Sequence, residues 1–233
     1  MRKILLAASL LFLVLTTSCT FGENRIAPRA NSSQAVVLIP GYGGGWGWSS
    51  GMVAAAESAG KRVIYADVSD MKSDLNALSK VVSDQVLLSE FNGVDLIGYS
   101  AGGVLARKIA MNIPERVHKV ITLASPHNGS KVATFGSYLG SSSLCPKSCT
   151  QLSEGSDFIK SLSALNAGER LLNIYVESDE VVEFKNSVLV GDVINFNLTE
   201  RCSISSLNHS DLPRDSVVLS LVSSFLNDLV LEC

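Results

Sequence analysis

Histidine is scarce in this chain: 233 residues hold three, His118, His127 and His209. Neither a second cysteine pair nor a histidine pair stands ready to complete a tetrahedral zinc site with Cys145-Pro-Lys-Ser-Cys149, so no metal is expected there. No basic run follows Lys3, which argues against nucleic acid or an anionic membrane surface as the main partner. The chain lacks G-x-x-x-x-G-K-[ST], and no G-x-G-x-x-G opens a dinucleotide unit, so a phosphate-cradling role finds no support. There is no internal repeat. The apolar run Ile4–Leu15 is too short to span a bilayer comfortably.

That run is nonetheless informative. Arg2 and Lys3 precede it, and Thr16, Thr17, Ser18 and Cys19 follow it. A positive head, a short apolar middle and a small-residue exit describe a secretory signal peptide, so residues 1–18 are read as a leader and the protein as exported. Cys19 follows the small residues as in the lipid-attachment box of bacterial lipoproteins, although Thr16 stands where that box has leucine. Lipid tethering at Cys19 and ordinary cleavage nearby both stay open. Without Arg2 and Lys3, 17 of the 19 basic residues remain against 22 acidic ones, a net charge of −5. Four cysteines then remain, Cys145, Cys149, Cys202 and Cys233, an even number that reads as two disulfides in an exported chain. Of the three pairings, Cys145–Cys149 and Cys202–Cys233 are expected.

Residues 19–34 are polar and read as an unstructured tether; residues 35–233 form one domain. In that domain, short apolar runs at 35–39, 62–66, 94–97, 117–123, 171–176 and 193–196 read as strands. Helical spacing appears at 52–59, 75–88, 103–111 and 216–230. This alternation predicts an α/β domain with a mainly parallel sheet covered on both faces. A Ser- and Gly-rich excursion from 125 to 168 interrupts it, and is expected to arch over the site as a minimal lid. A monomer is expected.

Gly98-Tyr99-Ser100-Ala101-Gly102 is a G-x-S-x-G run between a strand and a helix. A sharp strand-to-helix corner thrusts Ser100 into the open beside a helix N-terminus, as a nucleophile requires. A serine hydroxyl needs a base, and the base a carboxylate to orient it. His118 begins its strand at the wrong end of the sheet and reads as a surface residue. His127 follows the same strand at the right end. His209 follows the last strand. Asp179 stands just past the strand at 171–176, flanked by Glu177 and Glu180, which read as solvated. Ser100, Asp179 and His209 fall in the chain order Ser…Asp…His of an α/β-hydrolase sheet, which favours His209 over His127 as the base. The oxyanion donors are expected at the backbone N–H groups of Ala101 and of Tyr42, in the glycine-rich loop after the first strand. Trp46 and Trp48 either line the acyl entrance or cover apolar surface.

The ordered set of motifs resembles the small secreted bacterial lipases and esterases of the α/β-hydrolase superfamily (the class 2 triacylglycerol lipase group). The residues that carry it are Val36-Val37-Leu38-Ile39-Pro40-Gly41-Tyr42-Gly43, the Ser100 corner, Ser125-Pro126-His127-Asn128-Gly129, Cys145–Cys149, Ser178-Asp179-Glu180 and Asn208-His209-Ser210-Asp211. Pro40 departs from the histidine that many lipases carry there. The resemblance implies Ser100 as nucleophile, Asp179 as acid, His209 as base, Tyr42 and Ala101 as oxyanion donors, and His127 as structural. It implies hydrolysis of a lipid or other small ester without a cofactor. The same residues would serve an acyltransferase or thioesterase, and the fold alone would also suit a non-catalytic binding protein.

Overall fold

Ala35–Ile39 has no polar residue to offer solvent. In the computed structural model, which describes residues 33–69, 71–131, 146–162 and 170–233, it is a fully buried strand, β1. Five further strands join it: β2 (Arg62–Tyr65), β3 (Val94–Tyr99), β4 (Val117–Leu123), β5 (Leu171–Tyr175) and β6 (Ile194–Asn197). They form a six-stranded sheet in the order β2-β1-β3-β4-β5-β6, with every pairing parallel. This is the sheet that the alternation predicts. The leader, Cys19 and most of the tether lie outside the described residues. The end of the tether is already fixed, since Gln34 N–H donates to Gly93 O (3.0 Å) and Ser33 Oγ donates to Asp95 Oδ2 (2.5 Å).

Strand periodicity divides the core into two layers. Ala35, Val37 and Ile39 pack with α2 (Leu75–Leu88) and α3 (Ala101–Asn112). Val36 and Leu38 pack on the other face with α1 (Ser50–Ser58) and the last helix, α8 (Ser216–Leu226). Gly51 permits the close approach of α1, because a Cβ there would run into the Leu219 side chain.

Four short helices escape the periodic reading: α4 (Lys147–Gln151), α5 (Asp157–Ser161), α6 (Phe184–Ser187) and α7 (Leu198–Cys202). Helices of one turn show no 3.6-residue pattern and depend on tertiary contacts. In α4, Gln151 accepts from Leu75 N–H (2.7 Å) and donates to Asp74 Oδ1 (2.8 Å), while Lys147 pairs with the same carboxylate. The hydrogen bonds from Lys147 and Gln151 hold the Asp74 carboxyl down at about 2.

Helix α8 stops at Leu226, four residues before the expected 230. Buried Lys119 of β4 donates to the terminal carbonyls of Phe225 (2.7 Å) and Leu226 (3.3 Å) and pairs with Asp228 (2.6 Å), so a cation sits at the negative end of the helix. Asp228 turns away at φ 58°, leaving Leu229 and Val230 exposed.

The Cys202–Cys233 disulfide ties this tail to α7. Cys149 is buried and disulfide-bonded, whereas Cys145, its expected partner, lies outside the described residues. Cys233→Ser is expected to lower the free energy of unfolding by about 2–4 kcal/mol, because the unfolded chain loses its cross-link. Denaturant titration of the two oxidised proteins would check this, and coincident curves would refute it.

Candidate active site

The corner between β3 and α3 holds Ser100 at φ 55°, ψ −123°, a conformation that costs of order 1–3 kcal/mol for a residue with a side chain. Two contacts enforce it. A Cβ on Gly98 would overlap the Gly102 carbonyl, and a Cβ on Gly102 would overlap the carbonyls of Ile39 and Pro40. The turn therefore lies directly against the end of β1. Ser100 N–H donates to Leu123 O (2.8 Å) and Ala124 N–H to Ile174 O (3.0 Å), which links the ends of β3, β4 and β5.

The three residues expected to form the site meet above this edge. His209 Nδ1 lies 2.7 Å from Asp179 Oδ2, and His209 Nε2 lies 3.1 Å from Ser100 Oγ. A carboxylate only accepts, so the Nδ1 proton points at Asp179 and the Nε2 lone pair faces the serine hydroxyl. Asp179 is itself fixed, because its Oδ1 accepts from the N–H groups of Val181 and Val182, both at 2.8 Å. All three side chains are buried.

Two neighbours hold the histidine by its backbone. Glu180 Oε2 accepts from His209 N–H (2.9 Å), and Tyr99 Oη donates to His209 O (3.2 Å), with the tyrosine ring 5.2 Å from the imidazole. Glu180 and Glu177 are exposed, as expected, and each also makes a hydrogen bond. The former braces the base loop, and the latter accepts from Asn197 Nδ2 (2.9 Å). No spacing in the sequence signals a side-chain bond to a group twenty or more residues away, so neither contact is legible there.

Ser100 and His209 open onto a cleft of about 270 Å³, with Tyr42, Trp48, Tyr99, Val181 and Arg214 among its walls. Tyr42 lines the cleft, and Ala101 opens α3 immediately after Ser100. A Cβ on Gly41 would come within 3.3 Å of Ser100 Cβ, so the loop passes close to the serine. Gly43 and Gly45 also line the cleft, but a Cβ at either would meet nothing within 4 Å. Trp48 is the tryptophan in the cleft wall, and Trp46 stacks behind it at 6.5 Å.

His127 does not join the site. It is buried, and its bonds fix a neutral tautomer. Thr122 Oγ1 donates to Asn173 Oδ1 (3.0 Å), so it accepts from His127 Nε2–H at 3.0 Å. The Nδ1 lone pair then faces the Arg107 guanidinium at 3.4 Å. Burial and the Arg107 charge together push His127 well below 6.5. Burial likewise lowers Arg107 to about 10. His118 lies at the far end of β4 as expected, but it is not a surface residue. Its side chain is only 16% exposed, because Nδ1 approaches buried Asp95 at 3.3 Å. Burial would raise the Asp95 carboxyl, yet hydrogen bonds from His118 and Ser33 and the charge of Lys61 bring it below the ordinary value.

The sequence model of the palmitoyl protein thioesterase family matches residues 52–168, half of the chain. The chain belongs to this family. Triacylglycerol lipases of Pseudarthrobacter phenanthrenivorans and Burkholderia plantarii are each 32% identical to it over 91 residues, covering 36% of this chain and 28% and 25% of theirs. The chain spans about a quarter of the length of these curated relatives. Among solved structures, Aspergillus fumigatus lipase B superposes with a TM-score of 0.65 at 19% identity, over 82% of this chain and 52% of its own. Mature Bacillus licheniformis lipase BlEst2 superposes at 0.63 and 16% identity, over 85% and 94%. The fold of this palmitoyl protein thioesterase family member is the α/β-hydrolase fold, as its motifs imply. The family match contains Ser100 but ends before Asp179 and His209, which therefore rest on the distances above.

His127→Ala is expected to lower the free energy of unfolding by about 2–3 kcal/mol, because Arg107 and Thr122 lose a buried partner. Because the folded protein depresses the His127 proton affinity, the unfolded chain binds the extra proton below 6.5. Stability is then full above that pH and falls as pH drops, by at most about 1.4 kcal/mol per pH unit from this group. Unfolding curves between pH 7.5 and 5 should show a shallower decline in His127→Gln. An unchanged slope would count against a neutral His127.

Proposed function

We propose that the protein is a serine hydrolase of carboxylic esters, with lipid esters as its substrates. The observation that carries this reading is the Asp179–His209–Ser100 chain of contacts, at 2.7 and 3.1 Å, opening onto a cleft walled by Trp48, Tyr99 and Val181. Ser100 Oγ attacks the acyl carbon as its proton passes to His209 Nε2. Asp179 orients the imidazole and stabilises its charged form. The N–H groups of Ala101 and Tyr42 receive the oxyanion, each worth about 10²–10³ in rate. As the carbon–oxygen bond to the alcohol breaks, His209 returns the proton to the departing oxygen. Water then adds to the acyl-enzyme, giving a proton to His209; as the acyl–oxygen bond to Ser100 breaks, His209 passes that proton to Ser100 Oγ and the acid is released.

The apolar walls, and the lipases among the relatives, support a lipid substrate. The family match supports a second reading, cleavage of a thioester, in which the same steps release a thiol. The leader supports an exported enzyme, tethered by a lipid on Cys19 or cleaved nearby; the mass of the mature N-terminal peptide distinguishes these.

A phosphonate inhibitor is expected to label Ser100, and p-nitrophenyl butyrate and palmitate to be hydrolysed. Ser100→Ala and His209→Ala should each reduce kcat by about 10⁶-fold, and Asp179→Asn by about 10⁴-fold. Full labelling at another residue, or turnover that survives Ser100→Ala, would defeat the proposal. Matched palmitoyl oxygen and sulfur esters decide between ester and thioester preference.

A further inference from the structure

Arg214 is the permanently charged side chain among the described residues that line the cleft. It is exposed, and its guanidinium is attached to the backbone at two points. Nε donates to Gly47 O (3.2 Å) and Nη1 donates to Ser210 O (3.1 Å). One of these carbonyls belongs to the loop that carries Tyr42, the other to the residue after His209. Nη2 lies over Gly47, 3.6 Å from where a Cβ would stand, and has no acceptor among the described residues. Among the described residues no carboxylate pairs with Arg214, although Asp211 and Asp215 flank it in sequence. Asp211 interacts with Asn208, and Asp215 caps α8 through the N–H groups of Val217 and Val218.

A guanidinium anchored through two of its nitrogens and open at the third is prepared for an oxyanion. The side of the cleft it serves follows from the reaction above, on which this inference rests. His209 Nε2 must reach the departing oxygen, so the alcohol half of the substrate lies on the His209 side of Ser100. Arg214 spans from Gly47, in the Tyr42 loop, to Ser210, the residue after His209, and it is the link to Ser210 that ties it to the half which His209 Nε2 serves.

We infer that Arg214 is an anion subsite for the leaving group: the preferred substrates are esters or thioesters whose alcohol or thiol half carries a carboxylate or phosphate. A plain acylglycerol leaves this site unused, whereas an anionic leaving group meets a cation already aimed at it.

The test compares three butyrate esters in the wild type, Arg214→Gln and Arg214→Lys: those of 4-hydroxybenzamide, 4-hydroxybenzoate and 4-hydroxyphenyl phosphate. The quantity read is the ratio of kcat/KM for each anionic ester to that for the neutral one, in which any general loss of activity from loosened loops cancels. At low salt, changing Arg214 to Gln should cut this ratio by about fivefold, and Arg214→Lys should retain part of it. In the wild type, the ratio should fall towards the Gln variant's value as salt rises. A gain with both anions marks a general oxyanion site, and a gain with phosphate alone one that requires the larger charge; either supports the assignment. Equal ratios in wild type and Arg214→Gln, with all three esters cleaved, would overturn the subsite and leave the hydrolase intact. If Arg214→Gln does not fold, a salt-independent ratio in the wild type, matched by Arg214→Lys, overturns it equally. Failure of the wild type to cleave any of the three would overturn the hydrolase reading, and this inference with it.

Discussion

The molecule depends on one crowded contact, that of the β3–α3 turn against the end of β1. The missing side chains at Gly98 and Gly102 let backbone meet backbone there, and Ser100 takes the strain. Move that turn outward by the width of one methyl group and the serine no longer faces both the Tyr42 loop and His209. The parallel sheet supplies the rigidity that makes such strain sustainable. Successive strand ends are hydrogen-bonded to one another, and apolar layers cover both faces.

The polar support is arranged differently on the two sides of the serine. On the base side it is dense. Asp179 and Glu180, adjacent in one turn, hold the ring and the backbone N–H of His209, while Tyr99, next to Ser100, holds its carbonyl. Beneath the neighbouring loop, the chain from Arg107 through His127, Thr122 and Asn173 joins α3 to β4 and β5, each member offering what the next one needs. From the far end of the sheet, Lys119 secures α8, the helix that follows the base loop. The other side, residues 40–49, is built of tight turns and glycines and borrows its hold from Arg214.

Much of this is legible in the amino-acid order. Apolar β-branched runs locate β1 and β3–β5, because a parallel strand buried on both faces tolerates little else. Ser100, Asp179 and His209 can be picked out because each follows a strand at the same sheet edge. What escapes reading depends on long-range contact. Asp95 sits in a strand but carries charge, explicable only by the approach of Lys61, His118 and Ser33 from three other segments. The end of α8 looks like continuing helix, since Leu229 and Val230 keep its apolar character, yet a lysine more than a hundred residues earlier caps it at Leu226. The one-turn helices α4 to α7 have no period to detect.

The two bare positions in the cleft wall, Gly43 and Gly45, have a consequence for descent. Their backbones lie outside the left-handed region, and an added methyl group would strike nothing. The width of the cleft is therefore set by residues that the scaffold does not require. Single-codon changes there can narrow the passage without disturbing the serine corner, so a change in what the cleft admits is within reach of lineages that keep the same scaffold.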